Sequence, residues 1–215
     1  MGKRVLIVAA HPDDEVLGCG GTICKLVEAG NQVSILYLSS GDNIESIREE
    51  EAKEACKFLN INSYFFLRLK GSEFVVKQEN INQIISVFSE IKPQIIYVNH
   101  DEDADFEHLT ANKLVSESLW RYNALASKDN RIMALVLYEV HKPMSSYNLI
   151  EDVSIEMDKK MNAMTIYSSQ LKTTRWDLAI KGLNQYRGLL HDNLKYAEVF
   201  QIKKLSSILP LLDSM

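Results

Sequence analysis

Cysteine is scarce in this chain, and its first apolar run is short. The three cysteines are an odd number in a 215-residue chain that can bury a substantial core, and none forms a C-x-x-C pair. This pattern argues against a disulfide-stapled protein and favours reduced thiols. The apolar run at residues 5–10 is too short for the apolar region of a signal peptide or for a membrane span. We therefore expect a cytoplasmic protein without a membrane segment.

Clusters of basic residues are also lacking. The chain has 24 Lys and Arg residues against 29 Asp and Glu residues, which gives a formal net charge of -5, and the basic residues are scattered. Neutralising the phosphates of a nucleic acid requires clustered Lys and Arg side chains. The composition therefore argues against a nucleic-acid partner and against a highly anionic polymer as ligand.

Apolar runs of strand length alternate with segments of helical period over the first two thirds of the chain. The runs are rich in Val, Ile and Tyr, which is typical of buried parallel strands. The predicted strands are residues 5–10, 33–38, 64–69, 95–99 and 134–140, and the predicted helices are residues 22–29, 44–59, 79–91 and 109–126. This alternation predicts an α/β fold with a doubly wound, mostly parallel, Rossmann-like sheet and helices on both faces.

After about residue 147 the pattern becomes mainly helical, with predicted helices at residues 154–167 and 176–190. We interpret these helices as a C-terminal helical cap on the same domain. No internal repeat, low-complexity tract or Gly/Ser linker interrupts the sequence. Residues 1–215 are therefore predicted to form one domain.

The loop after the first predicted strand is strongly acidic and lies where open α/β sheets bind ligands. An imidazole and three carboxylates, from His11, Asp13, Asp14 and Glu15, fall within five positions. Such a run repels itself unless a cation or hydrogen-bond donors neutralise it. Because His11 and Asp14 are three positions apart, one turn can point both at the same ion. With a third ligand and an open position for water, this arrangement is typical of a catalytic zinc site.

Two other interpretations of this loop deserve comparison. In the first, Asp13 and Asp14 only cap a helix that starts near Val16, which accounts for one carboxylate but not for three beside a histidine. In the second, the glycine-rich turn at residues 18–21 binds a phosphate. That turn lacks the G-x-G-x-x-G spacing, and the adjacent acids oppose a pyrophosphate.

A second acidic loop follows the fourth predicted strand and reads N-H-D-E-D-A-D-F-E-H from residue 99 to residue 108. A doubly wound sheet can bring this loop beside the first one. His108, at the start of the next predicted helix, can then reach an ion shared with the first loop. His100 is a rival third ligand that spacing alone does not exclude.

The first loop resembles the signature of a known family. Residues 10–22 read A-H-P-D-D-E-V-L-G-C-G-G-T, which is similar to the signature of the LmbE-like, or PIG-L, family of N-acetylglucosaminyl deacetylases. Weaker similarities follow in the family's order: Ser39-Ser40-Gly41-Asp42, Arg48 with Glu51 and Ala52, Asp103 with His108, Lys160 through Tyr167 to Gln170, and Tyr196-Ala197-Glu198.

The resemblance implies an activity and a role for several residues. The activity is the zinc-dependent removal of an acetyl group from the nitrogen of an amino sugar, so the partner would be a small amino-sugar conjugate. The implied ligands of Zn²⁺, or of another divalent metal, are His11, Asp14 and His108, and the implied general base is Asp13. The candidate substrate-binding residues are Arg48, from the resemblance, and His100, Asp103, Asp105 and His141 near the strand ends.

One departure from the family pattern concerns residue 105. Many relatives have H-x-D-H where this chain reads D-F-E-H at residues 105–108, and the first His of that motif stabilises the oxyanion or protonates the leaving amine. An ionised Asp105 does not stabilise an oxyanion, which leaves zinc alone, His100 or His141 for that role. Glu107 replaces an Asp, a milder change for a residue that orients a metal ligand through hydrogen bonding.

The residues also allow other functions. A metal and a base would serve the hydrolysis of a different N-acyl amide or of an ester equally well. A non-catalytic metal-binding or sugar-binding relative is a second alternative, because Asp105 departs from the family pattern. A nucleotide-binding oxidoreductase is a third. The sequence does not specify the aglycone of the sugar, and the resemblance allows a homo-oligomer.

Overall fold

The computed structural model describes residues 2–205, and within that range it contains one seven-stranded sheet. Its order across the sheet is third, second, first, fourth, fifth, seventh and sixth strand. Neighbouring strands are parallel from the third to the fifth, whereas the seventh is antiparallel to both of its neighbours. The strands are β1 (Arg4–Ala9), β2 (Gln32–Tyr37), β3 (Ser63–Phe66), β4 (Ile95–Asn99), β5 (Ala134–Tyr138), β6 (Leu149–Asp152) and β7 (Ala197–Leu205).

Helices cover both faces of this sheet, as the sequence predicts. Successive β1 residues alternate between the two faces, so that Val5 and Ile7 belong to one buried cluster and Leu6 and Val8 to the other. The helices are α1 (Asp14–Glu28), α2 (Glu45–Phe58), α3 (Gln78–Ile91), α4 (Phe106–Leu125), α5 (Met157–Ile166), α6 (Ser168–Leu171) and α7 (Trp176–Leu190). The first cluster packs against α1, α2, α5 and α7, and the second against α3 and α4.

The C-terminal part is more than a helical cap. It contains the predicted helices, here α5 and α7, but it also adds β6 and β7 to the sheet, and these two strands were not predicted. The sequence of β7 carries Glu198, which interrupts the apolar pattern of a buried strand. The Glu198 side chain is nevertheless buried, because Lys160 from α5 lies 2.7 Å from it. This long-range ion pair cannot be read from the local pattern.

Helix α1 begins eight residues before the predicted start, because its glycines lie inside the helix rather than in a turn. A Cβ atom added at Gly18 would lie 2.2 Å from the Tyr138 ring, and one added at Gly21 would lie 2.6 Å from Val153. These glycines therefore allow close packing of α1 on its neighbours. None of the helices between residues 2 and 205 combines the length and the apolar composition that crossing a membrane requires.

Candidate metal centre

The two acidic loops meet at the point where the sheet reverses its winding, between β1 and β4. Ligands of doubly wound sheets bind in the crevice at this switch point. His11 and Asp14 come from the junction of β1 with α1, and His108 comes from the first turn of α4. One ligand atom from each of these three residues lies within 4.8 Å of the others. The fold therefore brings together the three residues that the resemblance implies as metal ligands.

The environment of the two His108 ring nitrogens indicates whether a cation fits between His11, Asp14 and His108. Its side chain is fully buried, with Nε2 3.3 Å from Oδ1 of Asp14 and Nδ1 3.3 Å from Oδ1 of Asp103. Neither ring nitrogen makes a hydrogen bond to any residue in the described part of the chain. An unsatisfied buried polar atom is costly. A cation at Nε2 would satisfy that atom, while Asp103 at Nδ1 stands where a metal-binding histidine usually has its orienting carboxylate.

In His11, too, one ring nitrogen contacts an orienting carboxylate and the other would face a cation, although the two nitrogens are exchanged relative to His108. Its Nε2 contacts the Glu107 carboxylate, and its Nδ1 lies 3.7 Å from Oδ2 of Asp14. The Asp14 Oδ2 atom also accepts a hydrogen bond of 2.9 Å from the His11 backbone N–H, which fixes the carboxylate in place. Nδ1 of His11 is thus the nitrogen that would face a cation. The contact fits the orienting role that the sequence suggests for Glu107.

The pKa values in this cluster reflect its burial and its crowded charges. Burial and the neighbouring Asp14 raise the pKa of the Asp13 carboxyl well above its usual range, and Arg48 opposes this shift only in part. Burial also acts to raise the pKa of Asp14, but His108 and His11 outweigh it and hold that pKa below its ordinary value. For His108, Asp14 and Asp103 outweigh burial and raise the pKa to about 11. The cluster therefore attracts positive charge strongly.

Asp13 lies beside these residues in an unusual backbone conformation. It is the residue before α1, with φ at 121° and ψ at -29°, and its side chain does not cap the helix. Instead, its Oδ1 lies 3.3 Å from Nη2 of Arg48, which also donates a hydrogen bond of 2.8 Å to the Pro12 carbonyl. Arg48 is buried on α2 and reaches the loop because Gly41 leaves space for its guanidinium. Helix capping therefore does not account for Asp13.

The four other candidate substrate-binding residues lie in different environments. His100 is buried, and both of its nitrogens are used, since Nε2 donates to the Lys142 carbonyl and Nδ1 accepts from the Glu102 N–H. Asp103 is buried behind His108. Neither His100 nor Asp103 faces the open side of the site. Asp105 caps α4, where its Oδ1 accepts the backbone N–H groups of Glu107 and His108.

His141 is the candidate that lies beside the three candidate metal ligands and is still partly open to solvent. Its ring stacks on His108 with 4.6 Å between ring centroids, and on its other side it stacks on Trp176 at 4.5 Å. Its Nδ1 is 3.9 Å from Oδ2 of Asp105. Burial and His108 together lower the pKa of His141, which favours its neutral form.

Two aromatic residues near the site do not stand out in the sequence. Trp176 starts α7, far along the chain from the acidic loops, and its place in the sequence favours packing against the sheet over stacking on a sugar. Phe74, in the segment after β3, forms a T-shaped pair with the His11 ring, with 6.4 Å between the ring centroids. The only sequence signal for Phe74 is its place after a strand's carboxyl end, where sheet ligands bind.

Just over half of the chain matches the model of a known protein family. The family model PIG-L, described as GlcNAc-PI de-N-acetylase, matches residues 6–119, which is just over half of the 215 residues. The matched segment contains both acidic loops. The chain belongs to the PIG-L family. Its sequence is 28% identical over 199 residues to a diacetylchitobiose deacetylase of Thermococcus kodakarensis. The alignment covers 82% of this chain and 73% of that relative.

Solved structures show the same fold for this PIG-L family member. The conserved protein TT1542 from Thermus thermophilus superposes with a TM-score of 0.85 at 22% identity, covering 97% of this chain and 98% of that one. A 4-carboxy-2-hydroxymuconate hydratase from Pseudomonas putida superposes with a TM-score of 0.81 at 20% identity, covering 96% and 99%. Because one fold supports several chemistries, these likenesses establish the fold and leave the reaction to the site.

Proposed function

We propose that this protein is a zinc-dependent hydrolase that removes an acetyl group from the nitrogen of a small amino-sugar conjugate. The observation that carries the proposal is the convergence of His11, Asp14 and His108 beside Asp13 in a PIG-L family sheet. The family description and the deacetylase relative support the same reaction. Another divalent metal with similar ligand preferences would also suit these residues.

The three ligand residues would bind the metal through Nδ1 of His11, a carboxylate oxygen of Asp14 and Nε2 of His108. When bound at such a site, zinc acts as a Lewis acid toward an acyl oxygen and makes water a stronger nucleophile near neutral pH. Glu107 and Asp103 would hold the two imidazoles in the required orientation.

Asp13 is our choice for the general base, because its carboxylate lies near Asp14 and His108 but is not part of the group that could hold a metal ion. It would take a proton from the attacking water and return it to the sugar nitrogen as the amide bond breaks. The return matters because an amide anion is a very poor leaving group. Arg48 would hold the Asp13 carboxylate and contribute to substrate binding from the same side.

Many relatives have a histidine at the position of Asp105 that stabilises the oxyanion, and in this chain we assign that role to His141. Asp105 is committed to capping α4, whereas the His141 ring lies against His108 and is partly open to solvent. His141 would therefore contact the acyl group or the sugar, with Trp176 behind it. We also infer that residues 1–215 act as one domain and, because the three free cysteines are buried, that the protein works in the reducing cytoplasm.

The test combines metal analysis of the purified protein with acetate release from N-acetylglucosamine conjugates and from simple N-acyl amines. We expect stoichiometric metal and a preference for the sugar conjugates. Asp13→Asn should keep the metal and lose turnover by about a hundredfold to ten-thousandfold, since a general base contributes that much. His108→Ala should lose both. Stoichiometric metal in His108→Ala would contradict the ligand set, and faster hydrolysis of the simple amides would contradict the substrate.

A second candidate is a metal-binding or sugar-binding relative without turnover. The observation in its favour is Asp105, which replaces the family's histidine and serves as a helix cap. Stoichiometric metal together with no acetate release from any conjugate would support this candidate instead of the hydrolase.

A further inference from the structure

A buried hydrogen-bond network lies directly behind Asp13, around the Glu15 carboxylate. Glu15 is fully buried at the start of α1. Its Oε1 accepts hydrogen bonds from the hydroxyl of Tyr37, at 3.0 Å, and from the hydroxyl of Tyr167. Its Oε2 accepts the backbone N–H of Asp13 at 3.1 Å. The two tyrosine hydroxyls are 3.4 Å apart, and the thiol of Cys56 lies 3.6 Å from the hydroxyl of Tyr37.

The Asp13 backbone needs such support. A φ of 121° is outside the regions that residues with a Cβ atom ordinarily adopt, so the Asp13 backbone is strained. The Asp13 N–H also precedes the first turn of α1, where backbone N–H groups have no partner within the helix. Glu15 supplies that partner by reaching back from two residues ahead, much as a Glu does in a capping box.

Packing alone does not account for this network, because burying a carboxylate is energetically unfavourable. Burying a carboxylate costs more than its partners return unless the geometry is good, and apolar residues of similar volume often pack equally well. Here three donors converge on one carboxylate, and they come from β2, from the junction of α5 with α6, and from the residue before α1. The three contacts share the Glu15 carboxylate, which connects the two tyrosine hydroxyls on Oε1 with the Asp13 backbone N–H on Oε2.

We propose that Glu15, held by Tyr37 and Tyr167, is a positioning residue that keeps the Asp13 carboxylate aimed at the metal centre. The inference rests on the proposed function in taking Asp13 as the base. It gives the C-terminal helices a part in the reaction, since Tyr167 extends from the junction between α5 and α6 to the start of α1. Arg48 holds the Asp13 side chain from one side, and Glu15 holds its backbone from the other.

The experiment uses Tyr167→Phe and Glu15→Gln, each with a matched control. Tyr138→Phe also removes one buried hydroxyl, which donates to the Val8 carbonyl, and Glu198→Gln alters another buried carboxylate that accepts N–H groups of α1. We expect kcat to fall by up to about a hundredfold in the two network variants, because a small misplacement of a catalytic group has that effect. KM and metal content should stay unchanged in these two variants. At temperatures below their melting temperatures, both control variants should keep the kcat of the wild type.

A second measurement does not depend on turnover. Amide hydrogen exchange over residues 11–17 should become faster at the Asp13 N–H in both network variants and stay as in the wild type in both controls. If the wild type releases no acetate from any conjugate, the proposed function fails, and exchange still tests the positioning role. Unchanged exchange at Asp13 in both variants would overturn it. So would an equal loss of kcat in the Tyr138→Phe control. If Glu15→Gln does not fold, Tyr167→Phe decides the outcome.

Discussion

Nδ1 of His108 lies 3.3 Å from Oδ1 of Asp103, and both side chains are fully buried. The same carboxylate accepts the backbone N–H groups of Asp105 and His141, and it lies 3.5 Å from Nε2 of His100. Its position is therefore set by several contacts. A carboxylate placed in this way fixes the ring orientation and raises the basicity of a metal-binding histidine. We therefore infer that Asp103 would orient His108 for a cation at Nε2.

Asp103→Asn should weaken metal binding by about 10- to 100-fold, which is the usual effect of losing such a partner. Competition with a chelator measures the affinity. Asp101→Asn is the matched control, because Asp101 is on the same loop but is exposed and pairs with Lys203 at the surface. Equal affinities in Asp103→Asn and Asp101→Asn would show that the Asp103 carboxylate does not prepare His108.

Lys160 should matter far more for stability than its neighbour Lys159. Lys160 is fully buried, and its Nζ donates to the Leu17 carbonyl, to Asn184 and to Glu198. Removing one partner of a buried ion pair costs about 3–5 kcal/mol, because the other charge is left buried. Lys159 pairs with Glu28 at 3.2 Å on the surface, where such a pair contributes about 0–1 kcal/mol.

Urea unfolding of Lys160→Met and Lys159→Met measures this difference. We expect the free energy of unfolding to fall by about 3–5 kcal/mol in the first variant and by less than about 1 kcal/mol in the second. A small loss in Lys160→Met would mean that the backbone N–H groups of Gly21 and Thr22 neutralise Glu198 without the lysine.

Asp105 should act mainly through its role as a helix cap. Its Oδ1 accepts the backbone N–H of Glu107 at 2.7 Å and of His108 at 3.4 Å. An asparagine side chain can accept the same bonds, whereas alanine cannot. Asp105→Ala should therefore lower the free energy of unfolding by about 0.5–2 kcal/mol, and Asp105→Asn should leave it nearly unchanged. Thermal unfolding of both variants checks this, and an equal loss in both would point to the charge of Asp105 instead.

The parts of this protein that could be predicted from sequence are those with local signals. The parallel strands are continuous apolar runs, and the first acidic loop places His11, Asp13 and Asp14 within a few positions. The choice between His100 and His108 was open because spacing does not show where a ring points. In the structure Nε2 of His100 points to the Lys142 carbonyl, and this supports our proposal of His108 as the third ligand. Strand β7 was missed because Glu198 is neutralised by a residue 38 positions away.

The three cysteines should be unreactive in the folded protein. Burial raises the pKa of Cys24 to about 11 and that of Cys56 to about 12, and it raises the pKa of Cys19 well above its usual range. A raised pKa disfavours the thiolate, which is the reactive form of a cysteine, near neutral pH. Titration with a disulfide reagent should find no fast thiol before unfolding and three afterwards. A fast-reacting thiol in the folded protein would contradict this burial.

Metal removal should destabilise the protein, because the acidic loops then lose the charge that neutralises them. Asp13, Asp14 and Glu15 are all buried within three consecutive positions. A ligand that binds only the folded state stabilises it by about 2.7 kcal/mol at a free concentration of 100 times its Kd. Zinc added back to chelator-treated protein should therefore raise the melting temperature.

The variant His108→Ala separates this effect from nonspecific binding of zinc. In that variant the melting temperature should no longer respond to zinc, since Nε2 of His108 is the buried nitrogen that the ion would satisfy. His191→Ala is the matched control, because His191 bonds Tyr147 away from the metal centre and its loss should leave the response to zinc intact. If His108→Ala still responds in full, the stabilising ion binds elsewhere, and the convergence of His11, Asp14 and His108 serves another purpose.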